Sequence, residues 1–337
     1  MPCKKIVMAL DLFNPFQEMI FDDHFCFLSG DLTNEKITVF PEWLMEKFDF
    51  GKEEITLLQN TKAKSIAYKD LKIPCAPRVQ KAFEEMDQVF KQAFDQGFEA
   101  VNELDELILF QWSGRIVYGL LYLEMMGEWE LNQQLGKSFD LSHKLRDRLG
   151  KFHHMMQSLI EPIKFSNHKP WSIIVFPLKY SADILSFRDD IINLSFQFGV
   201  NGFGFIVCFQ DNGIVKETEA DLIQKMKGHI LHPVQFEELY ARFHYRLDLL
   251  QYIPQHKLHL ENDEIEIESI PIKQTNPDLP LYGLWSDDFY ARLLSNYWMV
   301  YGIEKGEILQ FQKPFLSYLE NPYNKEFIEP ENIELPF

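Results

Sequence analysis

The sequence predicts an α+β protein. Apolar stripes at spacings of three and four run from about residue 79 to about 160, and period-two alternation follows between about 170 and 210. Hydrophobic residues make up 46% and charged residues 25%, the balance of a folded globular chain and not of a disordered one. With 337 residues the chain can bury a sizeable core built from more than one unit.

Residues 1–75 read as irregular and strand-like, with turn signals at Ser29-Gly30-Asp31 and Gly51-Lys52. Val79, Phe83, Met86, Phe90 and Phe94 then form the stripe of an amphipathic helix that Gly97 interrupts. A second, more buried helix is predicted from Asp105 to Gly127. A third, capped by Asp140, carries Leu141, Leu145, Leu149, Phe152, Met156 and Leu159.

From about 170 the period shortens to two. Trp171 to Leu178 is a short strand whose Pro177 marks an end or an edge. Ile192, Leu194, Phe196 and Phe198 alternate with Asn193, Ser195 and Gln197, which predicts a half-buried strand. A turn over Gly199 to Gly204 returns the chain as Phe205 to Phe209, an antiparallel meander ended by Asp211-Asn212-Gly213. One helix is predicted from Thr218 to Gly228, and another has Pro233 in its first turn with the stripe Phe236, Leu239, Phe243 and Leu250.

Beyond about 255 the charge changes. Fifteen acidic residues face six basic ones there, half of the chain's net −18 in a quarter of its length. Glu264-Ile265-Glu266-Ile267-Glu268 is an alternating strand whose charged face needs water or a basic partner, and Trp285 to Tyr301 predicts a last helix. The expected units are therefore 1–100, a helical layer at 101–165, the meander with flanking helices at 166–254, and an acidic extension at 255–337.

Composition excludes several function classes. Acidic residues outnumber basic ones by 51 to 33, so the overall field repels phosphate and extended nucleic acid is not the expected partner. Cys3, Cys26, Cys75 and Cys208 are too few and scattered for a secreted disulfide framework, and reduced thiols in a cytoplasmic protein are expected. No signal peptide is expected, since the apolar run near the N-terminus breaks at Asp11. No membrane span is expected either: the most apolar window, Leu107 to Met126, contains Gln111, Arg115 and Glu124. Thirty Phe, 13 Tyr and 6 Trp read as a ring-rich core.

One segment carries more chemistry than the rest. It contains Phe25-Cys26-Phe27-Leu28-Ser29-Gly30, then Ile37-Thr38-Val39-Phe40-Pro41-Glu42-Trp43-Leu44, then Leu71-Lys72-Ile73-Pro74-Cys75-Ala76-Pro77-Arg78-Val79-Gln80. Order and spacing resemble the HNH-endonuclease proteins of bacteria. The helix holding Trp112, Arg115, Tyr118 and Tyr122, and the run His232-Pro233-Val234-Gln235-Phe236 with Tyr245, extend the resemblance to about residue 255.

In that family four thiolates from two knuckles hold a structural zinc, and a strand His with a helix Asn serves a catalytic divalent ion. The resemblance implies a ββα unit here with both metal sites erased. Cys26 stands at the first knuckle position, Ser29 at the second, and the second pair falls on Ala76 and Val79, with Cys75 at a non-ligating position. The catalytic His position reads Thr38 and the Asn position Gln80. One thiol cannot hold zinc, and a hydroxyl is no base near neutral pH. The expectation is a non-catalytic interaction or regulatory module with no catalytic residue, metal or cofactor. Its expected partner is a basic protein at the acidic segment.

The alternative is an enzyme of another class, with a site in the central or C-terminal region. Candidate groups for it are His229 with His232, His256 with His259 beside Glu261, Asp263 and Glu264, and His153 with His154. Solvated or core histidines account for these pairs at least as well. Gly199 to Gly204 sits between strands and reads as a hairpin loop, not a phosphate cradle. A cluster of His and carboxylates converging in one pocket would mark such a site.

Overall fold

A computed structural model describes residues 12–59, 62–252, 254–261, 264–271, 280–310 and 314–335. It is α+β, with 45% helix and 20% strand in several antiparallel sheets. No helix among the described residues is long and apolar enough to cross a membrane.

The N-terminal part opens with the short helix α1 (Pro15–Glu18), capped by the Asn14 side chain. Strand β1 (Lys36–Thr38) is followed by helix α2 (Glu42–Lys47) and the hairpin of β2 (Glu54–Gln59) and β3 (Lys62–Ala67). Strand β4 (Lys72–Pro74) then pairs antiparallel with β1, placing Thr38 opposite Lys72, and runs directly into α3 (Pro77–Gln96). Two paired strands and a helix thus form a ββα unit with α2 and a hairpin inserted between its strands.

Helix α3 buries Val79, Phe83, Met86, Phe90 and Phe94, the stripe its spacing predicts, and ends at Gly97, where φ is +93°. After α4 (Phe98–Asn102), helix α5 (Glu106–Gln134) starts at the predicted cap, Asp105, and runs seven residues past Gly127. It is buried on nearly every side through its middle, which its uniformly apolar sequence requires. Helix α6 (His143–Met156) starts later than predicted, because Ser142 and not Asp140 caps it. Leu145 consequently stays 36% exposed and outside the core stripe.

Strand β5 (Ile163–Ser166) is followed by the central sheet: β6 (Ser172–Leu178), β7 (Ser186–Asp190), β8 (Ser195–Val200) and β9 (Gly202–Cys208). Its order is β6-β9-β8-β7, so β7 to β9 make a meander and β6 joins at the far edge. The predicted strand from Ile192 begins only at Ser195; Leu194 has φ +55° and Ile192 lies 74% exposed in the turn. Nor is β8 half-buried. All six residues are buried because both faces of the sheet are covered.

On one face Phe196, Phe198, Phe205 and Val207 pack with α3 and α5. Phe90 stacks on Trp112 at 4.0 Å there, and Trp112 meets Phe198 edge-on at 5.2 Å. The other face presents Ile174, Phe176, Leu178 and Ile206 to the C-terminal helices. Gly204 is needed beneath that layer, since a Cβ there would lie 2.6 Å from Phe236 Cζ and 2.8 Å from Leu178 Cδ2.

Helices α7 (Ile214–Thr218) and α8 (Ala220–Met226) precede α9 (Pro233–Leu249), which His232 caps. Strands β10 (Gln255–Glu261) and β11 (Glu264–Ile270) form a hairpin, and β11 also pairs in parallel with β5. Helix α10 (Asp287–Trp298) packs on α9, with Trp298 Nε1 donating to the Val234 carbonyl at 3.1 Å, and α11 (Lys305–Leu309) follows. Pairing and packing therefore cross the position near 255 where the charge changes.

Candidate functional site

The ββα unit places the sequence-predicted residues first. The Cys26 thiol lies within hydrogen-bonding reach of the Cys75 thiol, the Ser29 hydroxyl and the backbone of Leu28 and Ala76. Cys26, Cys75, Ser29 and the Ala76 backbone thus meet at one point. The fourth knuckle position, Val79, is fully buried in the first turn of α3 within the same core. The hydrogen bond from Cys75 holds the Cys26 thiol down against the opposing effect of burial, and pushes the Cys75 thiol up. Both cysteines are wholly buried, and Cys26, Cys75 and Cys208 are free of disulfides. Cys3 lies outside the described residues.

Thr38 and Gln80 are both occupied locally. Thr38 Oγ1 donates to the Phe40 carbonyl at 2.8 Å, and the Thr38 carbonyl accepts from Arg115 Nη2 at 2.9 Å. Arg115 is 5% exposed, ion-paired with Asp87 on α3, and lies over the Phe83 ring at 5.2 Å. Gln80 Nε2 donates along α3 to Glu84 Oε1 at 2.8 Å. The Thr38 hydroxyl and the Gln80 amide nitrogen thus bond within the chain.

The histidine pairs do not converge. His229 pairs with Glu329 at 2.9 Å, whereas His232 Nδ1 accepts from the Val234 amide. His153 is buried against the Tyr118 hydroxyl at 2.6 Å, and burial pushes neighbouring His154 down to about 4. His259 pairs with Glu268 at 2.8 Å, while burial and nearby Lys151 push His256 down to about 3. The Glu261 side chain and Asp263 lie outside the described residues. The expected acidic strand face finds its cations within the chain, since Lys164 on β5 meets Glu264 at 2.6 Å. Asp22, Asp23 and His24 bring ligand atoms within 4.8 Å of one another in an exposed turn, where Lys36 already holds Asp23.

The site that sequence reasoning missed is a cleft of about 1130 Å³ along β7, the free edge of the central sheet. Alternation along β7 sends its side chains to two walls. Phe187 packs against Phe40, Phe50 and Tyr68 on one. On the other, Arg188 meets the buried Glu237 at 2.7 Å and lies over the Tyr297 ring at 4.7 Å. Ser186 and Tyr180 also donate to Glu237, at 3.2 and 3.5 Å. Three donors thus converge on Glu237, and Arg188 offsets its charge.

Asp189 differs. Among the described residues no side chain bonds its carboxylate, and burial together with neighbouring Asp190 pushes it up to about 6. Burial, Asp189 and Glu128 push Glu124 on α5 up to about 7. Tyr68 is raised by burial and then by Asp189 and Glu53. On this wall of the cleft Asp189 lies with the rings of Phe187 and Tyr68.

Behind the cleft, His244 Nε2 pairs with Asp190 at 2.9 Å and Nδ1 meets the Tyr297 hydroxyl at 2.7 Å. Burial is the largest single influence on Asp190, but His244 and the backbone amides of Asn193 and Ile192 together outweigh it and hold the carboxyl down at about 2. Both ring nitrogens are engaged within the protein, which suits the imidazole to fixing Tyr297 and not to exchanging protons with a ligand.

No family model, no curated protein and no solved structure matches the chain.

Proposed function

We propose that the chain is a cytoplasmic binding module and not a hydrolase. Its first unit is a structural remnant on a scaffold that resembles the HNH endonucleases, and its ligand site is the cleft along β7. One contrast carries this reading. Cys26, Thr38 and Gln80 hydrogen-bond within the chain, whereas the Asp189 carboxylate lines an open cleft with no side-chain partner among the described residues. Clefts of this size that combine rings with a few convergent polar groups are where proteins hold ligands.

Phosphodiester cleavage needs a base to activate water and a metal to stabilise the leaving oxygen, and Thr38 and Gln80 supply neither. The net charge of −18 further opposes a polyanionic substrate. Supercoiled plasmid incubated with the purified protein and Mg²⁺, Mn²⁺ or Ni²⁺ is expected to stay intact. Nicking that scales with protein and disappears in Thr38→Ala would overturn the reading.

A further inference from the structure

The backbone of β7 bears on what the cleft takes. The strand hydrogen-bonds to β8 on one side, and among the described residues no strand pairs with its other side. Five residues of strand span about 17 Å, and an unpaired edge of that length is a template for a further strand. Ser186 to Asp189 line the cleft, half-buried, with Tyr68 on one wall and Tyr180 and Tyr301 on the other. Ile184 and Val300 stand at the cleft 44% and 73% exposed, apolar area that an occupant would cover.

Charge narrows the occupant. Edge strands commonly carry charges that ward off indiscriminate pairing. On β7, however, Arg188 is ion-paired with Glu237 and Asp190 is hydrogen-bonded to His244, which leaves Asp189 as the strand's carboxylate without a side-chain partner among the described residues. Asp189 shares its wall with Phe187 and Tyr68, and Lys179 also lines the cleft. A strand docked here sends alternate side chains to the two walls, so a cation meets Asp189 and Tyr68 while the residues beside it meet Tyr180 and Val300.

We propose that the cleft binds an extended peptide segment of a partner protein by strand addition to β7, with a lysine or arginine of that segment paired to Asp189. This rests on reading the cleft as the ligand site and specifies its occupant. Main-chain bonds to β7 supply affinity, and Asp189 supplies selectivity for basic over acidic segments.

The probe is a fluorescein-labelled, end-blocked heptapeptide of alternating valine and lysine, titrated into the full chain and followed by anisotropy. Binding is expected, with about tenfold weakening by Asp189→Asn, as for loss of one half-buried charge pair. A peptide with glutamate in place of lysine is expected not to bind the natural protein. Methylating alternate backbone nitrogens of the lysine peptide on its pairing edge, which removes donors but keeps side chains, is expected to abolish binding.

No binding, binding indifferent to backbone methylation, or binding indifferent to Asp189→Asn overturns the proposal. So does self-association through this edge in place of peptide capture, seen as a concentration-dependent dimer that Asp189→Asn dissolves. Benzamidine, a ring bearing a cation, separates this from failure of the cleft reading. If benzamidine perturbs the NMR signals of Phe187 and Tyr180 while the peptide does not bind, the peptide falls and the cleft stands. If neither binds, both fall.

Discussion

Replacing Asp189 by Asn should make the protein more stable while weakening its binding. The native carboxyl is raised from 3.8 to about 6, chiefly by burial and then by Asp190. Its charged form is therefore disfavoured in the fold, and folding holds its proton more tightly than the unfolded chain does. The sign follows: stability from this group is full below about pH 4 and is lost as pH rises through about 6. Moving a carboxyl by about two pH units is worth roughly 3 kcal/mol, and partial solvent access at a sheet edge reduces this to ~1–2 kcal/mol. Asn keeps the shape without the charge. Urea unfolding of both proteins should coincide near pH 4 and diverge in favour of Asp189→Asn by that amount at pH 8, with unchanged m-values. Equal stabilities at both ends, or a variant weakened most at pH 8, would mean that Asp189 has a cationic partner and would refute the argument.

Other outcomes follow from the same packing. Arg115→Met leaves Asp87 buried without its cation and should cost ~3–5 kcal/mol in urea unfolding, whereas adding Asp87→Leu should recover much of it. Gly204→Ala drives a methyl into Phe236 and Leu178 and should cost ~1–3 kcal/mol, read from the same curves. Elemental analysis of dialysed protein should find no stoichiometric zinc; one zinc per chain would show that the first unit keeps a metal site. Native Cys26 and Cys75 should react with a thiol reagent only as fast as the protein opens, because both are fully buried.

The elements that sequence made legible are those whose pattern is local. Helices α3 and α9 announce themselves by apolar spacing, α9 also by Pro233 at its first turn, and Asp105 caps α5 as its position suggests. Of Cys26, Ser29, Ala76 and Val79, which the sequence groups, the first two meet at the Ala76 backbone and Val79 lies in the same core. Strand β7 was not legible. Ser186-Phe187-Arg188-Asp189-Asp190 holds one apolar residue, and only pairing with β8 makes it a strand.

The full burial of β8 depends on α9 covering a face that carries Ser195 and Gln197, which no period-two rule discloses. The cleft itself joins Tyr68, Asp189 and Tyr297, each more than a hundred residues from the next. The acidic strand β11 was legible as an alternating strand, but its cation, Lys164, comes from β5 a hundred residues earlier.

Hydrogen exchange on the full chain, with and without the valine–lysine peptide, tests most directly whether function lies at the β7 edge and not in the ββα unit. Amides of Ser186–Asp190 should exchange more slowly when the peptide is bound, while those around Cys26, Thr38 and Gln80 should not change. Slowing confined to residues 26–38 and 76–80, with β7 unaffected, would contradict the account.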